Sequence, residues 1–163
     1  MREATEKRRT KETDITLKLL LDVESESRID TGIGFFDHML EAMARHGGFT
    51  LALTAKGDLK VDAHHTVEDV GLVLGTALKT ALGNVPIERF GTAFVPMDES
   101  LGFISLDICG RAFLVFDALL LAEVVDRRAV DGFRRNFGFM GETAGTVLAQ
   151  KGHRHGAGLH EAG

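Results

Sequence analysis

The sequence predicts an α+β fold built from two similar sheet-plus-helix halves. Three observations carry this. Alternating apolar runs give way twice to stretches of helical period in the first half. The order of elements suits a layered α+β structure better than a βαβ array. The segment "LALTAKG" at 51–57 is echoed by "TVLAQKG" at 146–152, each ahead of a histidine-bearing stretch.

Taken in order, "DITLKLLLD" at 14–22 alternates Ile15, Leu17, Leu19 and Leu21 and reads as a strand, with 26–30 as a possible partner. "DTGIGFFDHMLEAMARHGG" then changes period. Phe35, Met39, Leu40 and Met43 mark a helix that the Gly47-Gly48 pair stops. "FTLALTAKGDLKVDA" reads as a hairpin: Leu51 and Leu53 alternate, Lys56-Gly57-Asp58 turns, and Leu59 and Val61 resume. A second helix is expected from about His64 to Leu82, with Val67, Val70, Leu74, Ala77, Leu78 and Ala81 as its apolar stripe. After the loop "GNVPIE", strands are expected near 89–96, 101–108 and 112–117. Residues 122–150 are expected to be helical in part, although Gly132, Gly138, Gly141 and Gly145 oppose it. The tail "KGHRHGAGLHEAG" has no core pattern and reads as loop. The expected division is 1–90 for the first half and 91–163 for the second, degenerate after about 119.

Composition narrows the function. Hydrophobic residues make up 44% of 163, enough for a packed core. A net charge of −5 without a basic stripe argues against nucleic-acid binding. The lone cysteine, Cys109, excludes an internal disulfide and fits a reducing cytoplasm. The start "MREATEKRRTKETD" lacks the apolar core of a signal peptide, and the apolar runs are too short to span a membrane.

The seven histidines fall mainly in two stretches, and "DAHHTVED" at 62–69 is the densest. His64 and Glu68 are four apart and share a helix face. Imidazole with carboxylate suits a borderline divalent cation. His65 lies about 100° further around the axis, so the pair suits two metals, or one metal here and another shared with a neighbouring subunit. The plain reading is that Asp62 caps the helix while Glu68 and Asp69 are solvated charges. His38 is a further candidate ligand, with Asp37 placed to orient it. Arg89 and Arg111 stand near strand ends and suit a phosphate or carboxylate, or are surface charges. Nothing local marks Glu12 as more than an exposed charge.

"RRTKETDI", "DTGIGFFDHMLEAMARHGGF", "GDLKVDAHHTVEDVGLVLGTAL", "RFGTAFVPMDE" and "LDICGRAFLVFDA" follow one another in this order. Together they resemble the imidazoleglycerol-phosphate dehydratase family of histidine biosynthesis, from about Arg8 to Ala118. The resemblance implies helices packed between two sheets, as in ribosomal protein S5 domain 2-like folds, and homo-oligomers from trimer to 24-mer. It implies a cytoplasmic hydro-lyase that converts D-erythro-imidazoleglycerol phosphate to imidazole acetol phosphate around two Mn²⁺ ions. It makes His38, His64, His65 and Glu68 metal ligands, and Glu12 and Glu68 catalytic carboxylates. Glu12, His38 and His46 become substrate-site residues, and Arg89 and Arg111 phosphate contacts. The second half departs from the family pattern. Gly132 stands in a histidine's place, and the tail has no adjacent histidines followed by Glu at the right spacing. His153, His155, His160 and Glu161 are the remaining candidates there. Two further readings stay open: a catalytically inactive metal-binding remnant of the family, and a metal-dependent hydrolase using His64, His65 and Glu68.

Overall fold

The computed structural model describes residues 1–97, 100–110, 113–117 and 146–151. The first half runs β1 (Glu3–Arg9), β2 (Thr13–Leu20), β3 (Arg28–Asp30), α1 (Gly34–Gly47), β4 (Thr50–Gly57) and α2 (His64–Leu82). The second gives β5 (Phe90–Met97), β6 (Ser100–Asp107), β7 (Phe113–Asp117) and β8 (Thr146–Lys151).

Strict alternation makes β2 the centre of the first sheet. Ile15, Leu17 and Leu19 are fully buried while their neighbours face water. Antiparallel pairing sets Leu17 opposite Leu53, Leu19 opposite Leu51 and Ile15 opposite Ala55. The helix α2 lays Val70, Val73, Leu74, Ala77 and Ala81 on this face. Burying each large aliphatic side chain contributes about 1.5–3 kcal/mol. The small residues Ala77 and Ala81 let the helix approach closely. Both described helices pack on this sheet.

The sheet order is β1-β2-β4-β3, with β1–β2 and β2–β4 antiparallel and β3–β4 parallel. The second sheet, β5-β6-β8-β7, repeats both the order and the sense of every pairing. The echo at 51–57 and 146–152 therefore falls on equivalent strands, β4 and β8. The α+β reading with two similar halves holds.

Several local expectations are corrected. The charged strand β1 went unread because only Ala4 of it is buried, and an edge strand needs no apolar alternation. Residues 28–30 pair with β4, in parallel, and not with the strand at 14–22. The expected hairpin at 49–63 is half a hairpin. After Gly57 the chain turns, with Val61 N–H donating to the Asp58 carbonyl at 2.7 Å, and Leu59 and Val61 stay exposed. Residues 146–150, the end of the stretch expected to be helical in part, are strand. The stripe assigned to α1 is largely its outer face: Phe35, Met39 and Met43 are exposed, while Leu40 and Ala44 are buried. The helix does stop at the glycine pair. Gly48 takes φ 66° and its N–H reaches the Ala44 and Arg45 carbonyls, a left-handed cap that glycine adopts without strain. The remaining expectations for 118–145 and 152–163 lie outside the described residues.

Candidate metal and substrate site

The site begins at the six-residue turn between β4 and α2. Ala63 occupies the N-cap position and offers no side-chain acceptor. Asp62 supplies it instead: its Oδ1 accepts the backbone N–H of His64 at 2.7 Å. The same Oδ1 meets His64 Nδ1. Asp58, at the start of the turn, faces His65 Nδ1 with both oxygens, at 3.0 and 3.2 Å. The two imidazoles lie side by side, with centroids 3.9 Å apart and planes tilted by 48°. Their positions differ by about 100° around the axis, yet the rings converge because each is held by a carboxylate of the same turn.

The electrostatics follow from that turn. Burial lowers the His65 pKa. The hydrogen bond and charge of Asp58, with the charges of Glu12 and Asp62, outweigh this and raise it above the ordinary imidazole value. Asp62 is held below the usual carboxylate range, chiefly by the His64 backbone N–H, against burial and with help from the His64 ring. Glu12, exposed on the β1–β2 turn, is thus within electrostatic reach of His65. Glu68 is half-buried one helical turn beyond His64.

His38 and His46 are exposed on α1 and line a cleft of about 920 Å³, together with Glu24, Glu26, Glu41 and Arg45, to which His64 and His65 do not contribute. Among the described residues no three His, Cys, Asp or Glu side chains converge on one metal position. Asp37 does not orient His38. Its Oδ1 accepts the Thr31 N–H at 3.0 Å and hydroxyl at 2.5 Å, bracing the entry to α1. Asp69 is no solvated charge either: it is 7% exposed and accepts from Arg8 Nε at 2.7 Å and Thr13 Oγ1 at 2.5 Å. Arg89 is engaged by Asp107 through three hydrogen bonds of 2.8–3.0 Å at the base of β5 and β6. Arg111, Gly132, His153, His155, His160 and Glu161 lie outside the described residues.

Reasoning from sequence missed Asp58, which it spent on a hairpin turn. A signal was present: two aspartates stand two and seven residues ahead of the two histidines they meet.

The imidazoleglycerol-phosphate dehydratase family model matches residues 31–161. This chain belongs to that family. The match extends well past Ala118, where the motif resemblance ended. The chain is 55% identical over 139 residues to imidazoleglycerol-phosphate dehydratase of Clostridium novyi, covering 83% of this chain and 71% of that protein. It is 60% identical over 121 residues to that of Limosilactobacillus fermentum, covering 74% and 62%. The chain thus spans roughly two thirds of the length of such relatives. Among solved structures, it resembles imidazoleglycerol-phosphate dehydratase of Staphylococcus aureus with a TM-score of 0.73 at 30% identity, covering 91% of this chain and 83% of that one. The Pyrococcus furiosus structure, in complex with (S)-C348, matches with a TM-score of 0.71 at 32% identity, covering 90% and 78%. The family is one of hydro-lyases of histidine biosynthesis. No described helix is long and apolar enough to cross a membrane.

Proposed function

We propose that this chain dehydrates D-erythro-imidazoleglycerol phosphate to imidazole acetol phosphate in the cytoplasm. The observation that carries the reading is the carboxylate-backed pair His64 and His65 at the start of α2, in a chain of this family. Two half-buried imidazoles whose Nδ1 atoms are already engaged fit a borderline divalent cation such as Mn²⁺. His64, His65 and Glu68, with His38 as a further ligand, would help hold two such ions. When bound, the cation supplies positive charge that stabilises anionic forms of the substrate.

The chain's own groups do the rest. Glu12, near His65, takes the carbon-bound proton on its carboxylate and passes it to the neighbouring hydroxyl, which leaves as water, and the enol so formed tautomerises to the ketone. Glu68 is the second carboxylate of the pair. Arg89 and Arg111 hold the phosphate, and Arg89 does so by exchanging part of its contact with Asp107. His38 and His46 contact substrate from α1. Because they line a cleft to which His64 and His65 do not contribute, the complete site is built between copies, in assemblies from trimer to 24-mer.

The purified chain, supplied with Mn²⁺, is expected to turn over imidazoleglycerol phosphate and to stop on chelation. His64→Ala is expected to release metal, and unchanged metal content would remove the ligand assignment. Stoichiometric Mn²⁺ without turnover would instead favour an inactive metal-binding remnant, and hydrolysis of a generic phosphate ester a hydrolase. The family match through residue 161 lends the inactive reading no support.

A further inference from the structure

We propose that Asp58 and Asp62 are positioning residues that fix the tautomer and the ring direction of His65 and His64. The inference rests on the metal reading above and assigns roles to two side chains that it leaves unused.

A neutral imidazole carries one N–H. A carboxylate facing Nδ1 requires the proton there, because two acceptors facing each other would repel. Both rings meet a carboxylate through Nδ1: His64 with Asp62 Oδ1, and His65 with Asp58 at 3.0 and 3.2 Å. The lone pair of each ring is therefore left on Nε2, the atom farther from the turn. Two adjacent residues of one helix thus present the same nitrogen, from rings 3.9 Å apart.

The turn is built to hold these carboxylates still. Asp62 accepts the His64 N–H at 2.7 Å, which pins its side chain to the first turn of α2. The Asp58 carbonyl accepts the Val61 N–H at 2.7 Å, which closes the loop between the two aspartates. Neither carboxylate is spent on a lysine or arginine among the described residues. Both side chains are about as sheltered as the rings they face, 27% exposed for Asp58 and 30% for Asp62. A carboxylate behind a ligating imidazole also raises its basicity, and removing such a partner costs about 10- to 100-fold in metal affinity.

The test uses the full chain in two measurements. In ¹⁵N NMR of the metal-free protein, above the histidine titration range, both rings are expected as the Nδ1–H tautomer, and an Nε2–H tautomer at both overturns the proposal. In Mn²⁺ titrations without substrate, Asp58→Asn and Asp62→Asn are each expected to weaken binding about 10- to 100-fold, with Glu at either position restoring part of it. Wild-type affinity in both Asn variants, where His64→Ala loses the metal, overturns the positioning role while leaving the metal reading intact. A parent chain that takes up no Mn²⁺ overturns both. Weakened binding matched by an equal loss of metal-free stability, with no rescue by Glu, reduces the aspartates to structural parts and also overturns the proposal.

Discussion

Thr66 follows the two histidines, and its hydroxyl is fully buried without a hydrogen-bond partner among the described residues. It points at the end of β4, where a Cβ on Gly57 would fall 1.9 Å from Oγ1. Glycine is needed there for close approach, not for an unusual backbone. Gly57→Ala is expected to destabilise the chain by about 1–3 kcal/mol through overpacking. Thr66→Val is expected to be near neutral or slightly stabilising, since the hydroxyl has no bond to lose. Urea titrations of the two variants compare them directly. At the chain's start, Asp22 accepts from the Arg2 N–H and guanidinium at 2.6–2.9 Å and so clamps the far ends of β1 and β2. The Arg2 contacts hold the Asp22 carboxyl below its usual range. A depressed carboxylate stabilises the fold above its unfolded pKa, and the contribution is lost as pH falls through the folded one. Asp22→Asn is therefore expected to melt below the parent at neutral pH, with the gap closing in acid. A gap that widens in acid would contradict the assigned sign.

At the scale of elements, α2 is fastened to the sheet by burial, by the buried Asp69 carboxylate and by an exposed hydrogen bond from Thr80 to Glu6 on β1 at 2.9 Å. Asp69 reaches Arg8 on β1 and Thr13 on β2, so a single side chain ties the helix to two strands. Arg8→Ala leaves that carboxylate buried with one partner and is expected to cost about 1–3 kcal/mol in chemical denaturation. The helix α1 is held more lightly, by Leu40 and Ala44 with Phe36 packed alongside. Leu40→Ala is expected to destabilise by about 2–5 kcal/mol. Met39→Ala, one residue earlier, is expected to change stability by less than about 0.5 kcal/mol in the isolated chain. The reverse order would mean that the apolar stripe read from the sequence is the inner one after all.

Over the whole molecule, the two sheets share one connectivity, and both described helices pack on the first. The first is covered by α2, and its inner face is dry. The second leaves Phe90, Phe94, Val95, Phe113 and Val115 exposed in the single chain, as α1 leaves Phe35, Met39 and Met43. Phe94 and Phe103 stack across β5 and β6 with centroids 4.7 Å apart. Apolar surface of this extent favours association over a free monomer. With the proposed site divided between the α1 cleft and the start of α2, the protein is expected to run in light scattering at a multiple of its 17.7 kDa mass. A clean 17.7 kDa particle that still turned over substrate would show that one chain completes the site alone.

Local pattern alone determined much of this protein. The helix expected from His64 to Leu82 is α2, and strands 14–22, 89–96, 101–108 and 112–117 all lie within two residues of observed ones. Period 2 and period 3.6 report one-sided burial, and one-sided burial is a local property. The motif segments taken together pointed to the family, whereas "DAHHTVED" alone left a capped helix and a metal site equally open. Tertiary structure decided what no window contains. It recruited the charged strand β1 because an edge position asks for backbone pairing more than for apolar side chains. It turned Phe35, Met39 and Met43 outward and buried Asp69, since either face of a helix can be the inner one until a sheet is set against it. It also drew His64 and His65 together, although the helix alone sets them about 100° apart, because Asp58 and Asp62 return to them from the preceding turn.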